Sequence, residues 1–473
     1  MKGKLSHSLL VLCSLVTVAA VMVGCGGAPT QAPAVPTQAP AVPTQAPAGA
    51  TQPPTVPTQV PAAGAINLKF VVWSYGLDII QDNIKNFQAA NPGVTVALQD
   101  FSWLDYHDTI VGRFTANTPT DVLYGSDHWL QEWASAGWLE PLDTHFPVVT
   151  DYVKDMAPYA AQGVTYNGHV YGLPYYADTL IFVYNQDQLQ KAGFDHPPAT
   201  WEELTAQAKV IKAKGICNYP MIMAFSQQEG ASIEAFTAMV YSRAPSPGSM
   251  FDAQNNPTFN QAGGPMAQTV DWLHNALQVD KILDPGSLTT AEIDQVKSMQ
   301  AGAHTFTVFP SYNLAELNKP ASSDYAGKFK MALMPGSSHA TEGYVRFYAL
   351  SSQAVARGPD VLNAAWKFLE YFGGKTNGQY VVVKRWAVQN GLGFGQLPLW
   401  SDADVQKAFN AWGDTSLLQQ QSKLAWVKEG LTPFWGTWDV FTRAELQKAY
   451  LGQETTAAAL NAMEAKWKEL KSQ

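Results

Sequence analysis

Cysteine is scarce in this chain of 473 residues, which contains only Cys13, Cys25 and Cys217. Cys13 and Cys25 fall in or beside an N-terminal apolar segment. If both are committed there, Cys217 is left alone and an internal disulfide is excluded. Basic residues are also few, with 30 Lys and Arg against 39 Asp and Glu and a formal net charge of −9. This balance excludes nucleic acid as an expected partner, because phosphate binding needs an excess of positive charge.

The sequence also lacks the motifs of cofactor and catalytic sites. Its nine histidines are scattered, with none at i, i+4 spacing or beside a cysteine pair, so no metal site is predicted. There is no Gly-rich phosphate loop, and we expect no cofactor. Ser126, Asp127 and His128 are consecutive, so their side chains cannot converge as a catalytic triad does. We predict no catalytic residue, although Asp127 and Asp178 facing one cleft would leave a glycosidase pair as an alternative.

The N-terminus has the profile of a secretory signal. Lys2 and Lys4 precede an apolar run at residues 9–23, which is shorter than the roughly 20 residues of a spanning helix. The end of this run, Met22-Val23-Gly24-Cys25, resembles the lipobox of bacterial lipoproteins, with Met22 in place of the usual Leu. The resemblance implies a signal peptide at residues 1–24 and lipid on Cys25. An ordinary signal peptide that happens to contain a cysteine is the alternative.

A repetitive tract follows. Residues 28–61 repeat Pro, Thr, Gln and Ala without a charge or an aromatic ring, so nothing there offsets the entropy of ordering. Such a tract behaves as a semi-rigid polyproline spacer with a reach of roughly 100 Å. We predict that residues 25–65 form a lipid-anchored, disordered linker. No second apolar run of membrane length follows, so the folded part is expected to be held outside the cytoplasm by lipid alone.

The remainder has the pattern of an α/β protein. Hydrophobic residues make up 46% of the chain, which is rich in aromatic rings. Strands are predicted at residues 67–74, 94–99 and 121–124, and helices at residues 78–90, 106–116 and 129–136. Alternating strands and helices indicate a parallel sheet, whose ligands bind beyond the carboxyl ends of the strands. Residues 73–76 and 125–128 are therefore candidate site segments.

Two local signals continue the pattern. Asn167-Gly168 supplies the positive φ angles of a two-residue hairpin turn. Thr200 and Glu203 have the spacing of a capping box, which predicts a helix that runs to about residue 214.

Three segments carry a family resemblance. The series "DVLYGSD...LQEWASAGWLEPLD", "YNGHVYGLPYYADTLIFVYNQDQLQKAGF" and "PPATWEEL" resembles the extracellular solute-binding proteins of carbohydrate ABC importers, a group that includes maltose-binding protein. The resemblance implies a two-lobed α/β periplasmic-binding-protein fold of type II, with a ligand cleft between lobes joined by a hinge. Residues 66–179 and 343–374 would form lobe 1, and residues 180–342 and 375–473 would form lobe 2.

The same resemblance implies a function. The chain would be a monomeric, lipid-anchored, extracytoplasmic binding protein and not an enzyme. It would capture a sugar, oligosaccharide or polyol in the cleft and deliver it to the membrane permease of an ABC importer. The alternatives are a glycan-binding or sensor protein of the same fold, and a carbohydrate-active hydrolase.

Candidate ligand residues combine polar groups with flat rings, because sugars present both hydroxyl edges and apolar faces. In the first lobe and the crossing segment they are Trp73, Tyr75, Asp78, Asp127, Tyr176 and Asp178. Asp178 lies where the family places an acidic ligand residue. Core packing is the alternative for Trp73, helix capping for Asp127 and a local turn for Asp178.

Further candidates lie in the second half. Tyr312 follows an apolar strand, where the family has an aromatic contact. Trp435 and Trp438 occur in an aromatic segment that makes a poor helix interior, so they are predicted as a stacking platform or as a wedge under a loop. Arg346 interrupts an apolar strand. If it faced the cleft, its guanidinium would donate paired hydrogen bonds to a carboxylate, a phosphate or sugar hydroxyls. If it faced outward, it would be solvated.

Overall fold

The structure, a computed structural model, describes residues 65–473, apart from the side chains of residues 231 and 232. The predicted signal peptide, Cys25 and nearly all of the predicted linker lie outside the described residues. Between residues 65 and 473, no helix has both the length and the apolar character that crossing a membrane requires.

Ten strands are formed in this part of the chain. They are β1 (Ile66–Trp73), β2 (Val94–Phe101), β3 (Val122–Ser126), β4 (Thr165–Tyr166), β5 (His169–Val170), β6 (Gly172–Asn185), β7 (Phe306–Pro310), β8 (Phe329–Ala332), β9 (Thr341–Leu350) and β10 (Ala425–Val427).

The α-helices cover most of the rest. They are α1 (Leu77–Ala90), α2 (Trp103–Thr115), α3 (Asp127–Ser135), α4 (Leu142–His145), α5 (Val149–Lys154), α6 (Pro158–Gly163), α7 (Gln186–Ala192), α8 (Trp201–Ala213), α9 (Ala231–Arg243), α10 (Pro265–His274), α11 (Glu292–Gln300), α12 (Tyr312–Leu317), α13 (Ser352–Ala356), α14 (Pro359–Gly373), α15 (Val381–Asn390), α16 (Ala403–Asn410), α17 (Thr415–Lys423), α18 (Trp435–Tyr450) and α19 (Thr456–Lys471).

Eight of these strands form one mixed sheet in the order β2-β1-β3-β9-β6-β7, with β10 paired to β9 and β8 paired to β6. The strand β1 runs parallel to β2 and β3, whereas β9 is antiparallel to both β3 and β6. Phe70 and Val71 in β1 point to opposite faces and are both fully buried, as expected for a parallel strand covered on both faces. The α/β class predicted from the sequence is confirmed.

Two strands pass from one half of the molecule to the other. The first part of β6 pairs with β9, and from Leu180 onward β6 pairs with β7 and β8. The strand β9 pairs with β10 at its start, from Thr341 to Gly343, and with β3 at its end. The two crossings therefore lie side by side near residues 178–180 and 341–343.

Two hydrophobic cores pack around the crossings, and the first extends past them to α11 and α12. The first core surrounds β1, where the Phe70 ring meets Tyr124 at 5.6 Å and Phe368 at 5.0 Å between ring centroids. The second core surrounds Trp438 and Trp467, whose centroids lie 5.3 Å apart. Large aromatic side chains dominate the apolar area that stabilises both cores.

Glycines shape the sheet in the first core. A Cβ atom at Gly125 would lie 2.4 Å from the ring of Phe347, and one at Gly172 would lie 2.2 Å from it. Both positions need glycine because β3 and β6 flank Phe347. The absent side chain at Gly125 thus makes room for core packing.

The local sequence signals agree with the structure. Asn167 and Gly168 have φ angles of 49° and 81° in a two-residue turn between β4 and β5. Thr200 caps α8 by accepting a hydrogen bond from the backbone N–H of Glu203 at 3.1 Å. The Glu203 carboxylate accepts from the N–H of Ala199, one residue before the cap, at 2.7 Å.

One expectation needs correction. The segment from Trp435, expected to make a poor helix interior, begins the helix α18. The helix α15, which falls in the predicted lobe 2, packs into the first core through Trp386. Gly76 makes room for that ring, since a Cβ there would lie 2.5 Å from it. The lobe boundaries stay a prediction.

Candidate functional site

A cleft of about 630 Å³ opens beside the crossing strands. Its walls come from the chain after β1, from β6 and β9, and from the helices α9, α11 and α12. A volume of this size is typical of small-molecule sites, which range from about 300 to 1,000 Å³.

Aromatic rings form much of the cleft wall: Trp73, Tyr75, Trp103, Tyr175, Tyr176, Tyr312 and Tyr344. The Trp73 ring is buried and meets the Trp103 ring edge to face at 5.2 Å. Tyr75 and Trp103 keep 38% and 37% of their surface exposed, so part of each side chain remains accessible to a ligand. Tyr75 is supported from behind by Trp386, which it stacks on at 6.0 Å.

Arg346 lines the cleft, and its two terminal nitrogens are already paired. Nη1 donates to Asp127 at 2.9 Å, and Nη2 donates to Glu234 at 3.0 Å. Its guanidinium also lies 4.6 Å from the ring centroid of Tyr344 and 5.4 Å from that of Trp103. A guanidinium fork suits this arrangement because its donors are fixed in one plane.

Arg346 belongs to a group of five buried ionisable side chains, which we call the charge cluster: Asp127, Glu234, Glu342, Arg346 and Lys428. Lys428 Nζ lies 3.2 Å from Glu234, 3.3 Å from Glu342 and 4.0 Å from Asp127. None of these side chains is more than 6% exposed. The cluster joins α3, α9 and β9, so it contacts elements of both cores.

The pKa shifts show how charge is distributed in the cluster. Burial opposes ionisation of Asp127 and Glu234, but Lys428 and Arg346 outweigh it and lower the pKa of both carboxyls. Burial raises the pKa of Glu342 well above its ordinary value. Lys428 Nζ lies 3.3 Å from one Glu342 oxygen and partly offsets this rise. The two cations and the carboxylates of Asp127 and Glu234 thus balance one another, and the raised pKa of Glu342 favours its neutral form.

His128 lies at the edge of the cluster and lines the cleft. Burial lowers the pKa of His128 to about 4, against the effect of its contact with Asp127. Lys428 and Arg346 lower it further. The imidazole is therefore neutral at neutral pH and offers a ligand a polar edge without charge.

A second polar group occupies another part of the cleft. The Glu292 carboxylate accepts hydrogen bonds from the hydroxyl of Tyr312 and, at 2.9 Å, from the amide of Asn313. Glu229 accepts from the backbone N–H of Glu292 at 3.0 Å. All four residues line the cleft and present oxygen and amide groups to it.

Asp178 lies behind this wall. Its carboxylate accepts hydrogen bonds from Ser311 Oγ at 2.5 Å, from its neighbour Thr179 N–H at 2.8 Å and from Tyr312 N–H at 3.3 Å. Burial raises the pKa of Asp178 to about 7, although these hydrogen bonds lower it. Asp178 thus ties the crossing part of β6 to the start of α12 and holds Tyr312 in place.

Comparison with known proteins agrees with this geometry. Residues 73–379 match the family described as bacterial extracellular solute-binding protein. The chain belongs to this family. Its fold is that of two-lobed binding proteins, because the structure of maltose-bound T. maritima MalE3 matches it with a TM-score of 0.73 and 20% identity, over 86% of this chain and 100% of that one. The predicted family and fold are confirmed.

Curated relatives match this solute-binding chain over a shorter length. A binding protein of Brucella abortus (strain 2308) is 34% identical over 137 residues, which is 28% of this chain and 32% of that protein. The maltotriose-binding protein of Pyrococcus abyssi (strain GE5 / Orsay) is 28% identical over 140 residues, or 29% of each protein. The aligned part thus spans about a third of these relatives.

The structure brings together half of the predicted ligand residues. Five of them line the cleft: Trp73, Tyr75, Tyr176, Tyr312 and Arg346. Solute contact by these five remains a prediction.

The other five do not line it. Asp78 is exposed in the first turn of α1, Asp127 is paired with Arg346, and Asp178 is covered by the β7–α12 connection. Trp435 and Trp438 are buried, and the indole N–H of Trp438 donates to the backbone oxygen of Met463 at 2.9 Å. In this structure each of these five side chains is engaged elsewhere or faces away, so the geometry gives no support to them as ligand residues and their role stays a prediction.

Sequence reasoning missed Trp103, Glu234, Glu292 and Lys428. Trp103 follows β2 directly, and the rule that ligands lie beyond the carboxyl ends of strands would have found it. Glu234, Glu292 and Lys428 had no comparable signal, since they meet the cleft or the charge cluster only through tertiary packing.

Proposed function

We propose that this chain is the substrate-binding component of an ABC importer and that it captures a carbohydrate in the cleft. The observation that supports this most is the cleft wall itself, where partly exposed aromatic side chains at Tyr75 and Trp103 occur together with polar groups at Glu292 and Asn313. Rings bind the apolar C–H faces of a sugar, and carboxylates and amides accept and donate to its hydroxyls.

The solute we propose is uncharged. Two basic residues, Lys297 and Arg346, are among the lining residues. Lys297 is already paired with Asp294, and Arg346 with Glu234. Glu229, Glu234, Glu292 and Glu316 also line the cleft and would repel a phosphate or an acidic sugar. A sugar, oligosaccharide or polyol therefore fits the electrostatics better than a phosphorylated ligand does.

A carbohydrate-active hydrolase is less well supported. The glycosidase alternative needed Asp127 and Asp178 to face one cleft, and neither lines it. The family and the structural neighbours are binding proteins. We expect incubation with oligosaccharides to give no product, and measurable turnover would contradict the proposal.

A ligand screen tests the binding proposal directly. A solute that binds only the folded state raises the thermal midpoint, by an amount that grows with its concentration over Kd. We expect at least one neutral probe among maltotriose, lactose and D-mannitol to do so, and sn-glycerol 3-phosphate to have no effect. A midpoint raised by the phosphate alone would reject the proposed charge selectivity.

Anchoring and delivery complete the proposal. We infer that Cys25 carries the lipid and that residues 25–65 hold the monomeric receptor near its permease; of this part, only residue 65 is among the described residues. A sensor of the same fold is the alternative. Incorporation of labelled fatty acid that is lost in Cys25→Ser would support the anchor. Loss of solute uptake when the receptor gene is deleted would separate import from sensing.

A further inference from the structure

Lys428 is a cation that lies behind the cleft wall and does not line it. It follows β10 directly and is only 3% exposed. Its ammonium group lies 3.2 Å from the Glu234 carboxylate and 5.1 Å from the ring centroid of Trp435. A buried lysine is retained only when carboxylates compensate for its lost hydration, so these contacts fix its position.

The two carboxylates that hold Arg346 are both close to Lys428. Glu234 Oε1 accepts from Arg346 Nη2 at 3.0 Å and from Lys428 Nζ at 3.2 Å. Asp127 Oδ1 accepts from Arg346 Nη1 at 2.9 Å and lies 4.0 Å from Lys428. Each carboxylate oxygen is therefore shared between a cation in the cleft and a cation behind it.

Arg346 alone would not balance this site. With Lys428 removed, two buried carboxylates would face one guanidinium, and repulsion between them would act without compensation. One of them would move away or take a proton, and the guanidinium would lose a fixed partner. Its orientation between Trp103 and Tyr344 depends on both partners being in place.

We propose that Lys428 is a positioning residue for Arg346, acting through Glu234 and Asp127, and that solute affinity depends on Lys428 although the solute does not reach it. This inference rests on the proposed function, because Arg346 matters for affinity only if the cleft binds a solute. The inference assigns a role in solute affinity to Lys428, a residue that follows β10 and lies outside the cleft.

The test compares Lys428→Met with wild type as full chains, by calorimetric titration with maltotriose, lactose and D-mannitol. For the probe that wild type binds, we expect the variant to bind about tenfold more weakly, the scale of one charge-assisted hydrogen bond. Lys428→Arg should recover most of the affinity. Lys154→Met removes an exposed lysine paired with Asp151 and should leave affinity unchanged.

The pH dependence separates positioning from a general loss of structure. Lys428 is the main charge that lowers the pKa of Glu234, so its removal raises that pKa. The other ionisable groups around Glu234 are Asp127 and His128 from α3, Glu292 from α11, Glu342 and Arg346 from β9, and Asp439 from α18. Removing Lys428 also raises the pKa of Asp127, so both carboxyls that hold Arg346 take a proton at higher pH than in wild type. The ratio of variant Kd to wild-type Kd should therefore increase as pH falls from about 8 to about 5.

Each outcome decides the inference. Equal affinities of wild type and Lys428→Met at both pH values would overturn it and leave the proposed function intact. Failure of wild type to bind any of the probes would overturn the proposed function, and this inference with it. If Lys428→Met does not fold, Lys428→Gln keeps a donor for Glu234 without the charge, and the same ratio and pH trend are expected.

Discussion

Replacing Asp178 with Asn should remove a large part of the pH dependence of stability. The carboxyl is buried and its pKa is raised from 3.8 to about 7, mainly by loss of hydration. Between these values the folded state binds a proton that the unfolded state does not. The free energy of unfolding therefore falls as pH rises through about 7, and the stabilisation is fully present only at low pH.

The size of the effect follows from the shift. At about 1.36 kcal/mol per pKa unit, a group with these two pKa values makes the protein about 2–3 kcal/mol less stable at pH 8 than at pH 5. Asn does not titrate, so this contribution disappears in Asp178→Asn. A constant loss at all pH values is also expected, because Asn replaces one carboxyl oxygen by an NH2 group, which cannot accept a hydrogen bond from Ser311 or from the Tyr312 N–H.

Urea unfolding of ligand-free protein at the two pH values measures this change. Other buried acids, including Glu292 and Asp439, also have raised pKa values, so the wild-type slope alone is not diagnostic. The difference between wild type and Asp178→Asn isolates the one group. Asp151→Asn, at an exposed position, is the matched control. Identical pH slopes in wild type and Asp178→Asn would refute the buried, proton-binding role of Asp178.

Three further substitutions test the cleft wall, the second core and the crossing part of β9. Trp103→Ala should weaken binding of a neutral sugar by roughly tenfold, because it removes a partly exposed ring that a sugar can contact. Calorimetric titration would measure the change in affinity. Trp438→Ala should instead lower the free energy of unfolding by about 3–5 kcal/mol in urea, since this ring is 1% exposed in the second core. Gly343→Val should cost about 1–3 kcal/mol, because a Cβ there would lie 2.6 Å from the Tyr159 ring. If Trp438→Ala kept the wild-type free energy of unfolding but lost affinity for the sugar, Trp438 would be a ligand-binding residue and not a core residue.

Much of the fold could be predicted from sequence because its signals are local. The apolar run of β1 and the spacing of Ile79, Ile80, Ile84 and Phe87 in α1 identify a strand and a helix within one window. The helix at Trp435 and Trp438 was not predicted, because its signal is not local. Their segment is a poor helix by local preference, yet packing of Trp438 against Phe251 and Trp467 stabilises α18.

The site was predictable only in part. Chain position put Trp73, Tyr75 and Tyr176 near the cleft, because they end or lie on strands that reach it. The same reasoning placed Asp178 correctly along β6 but could not show that Ser311, more than a hundred residues later, covers its carboxylate. The charge cluster likewise joins positions from residue 127 to residue 428, and no sequence period connects them.

The side-by-side crossings of β6 and β9 bear on how the halves of this protein would move. Two paired strands connect the halves, and the segment from Ala425 to Trp435 runs once more from the first core to the second. Opening would therefore bend and twist a hydrogen-bonded ribbon, whose stiffness depends on the residues in it. If the cleft binds a solute as proposed, the balance between open and closed forms would depend partly on the elasticity of short stretches of backbone far from any sugar hydroxyl.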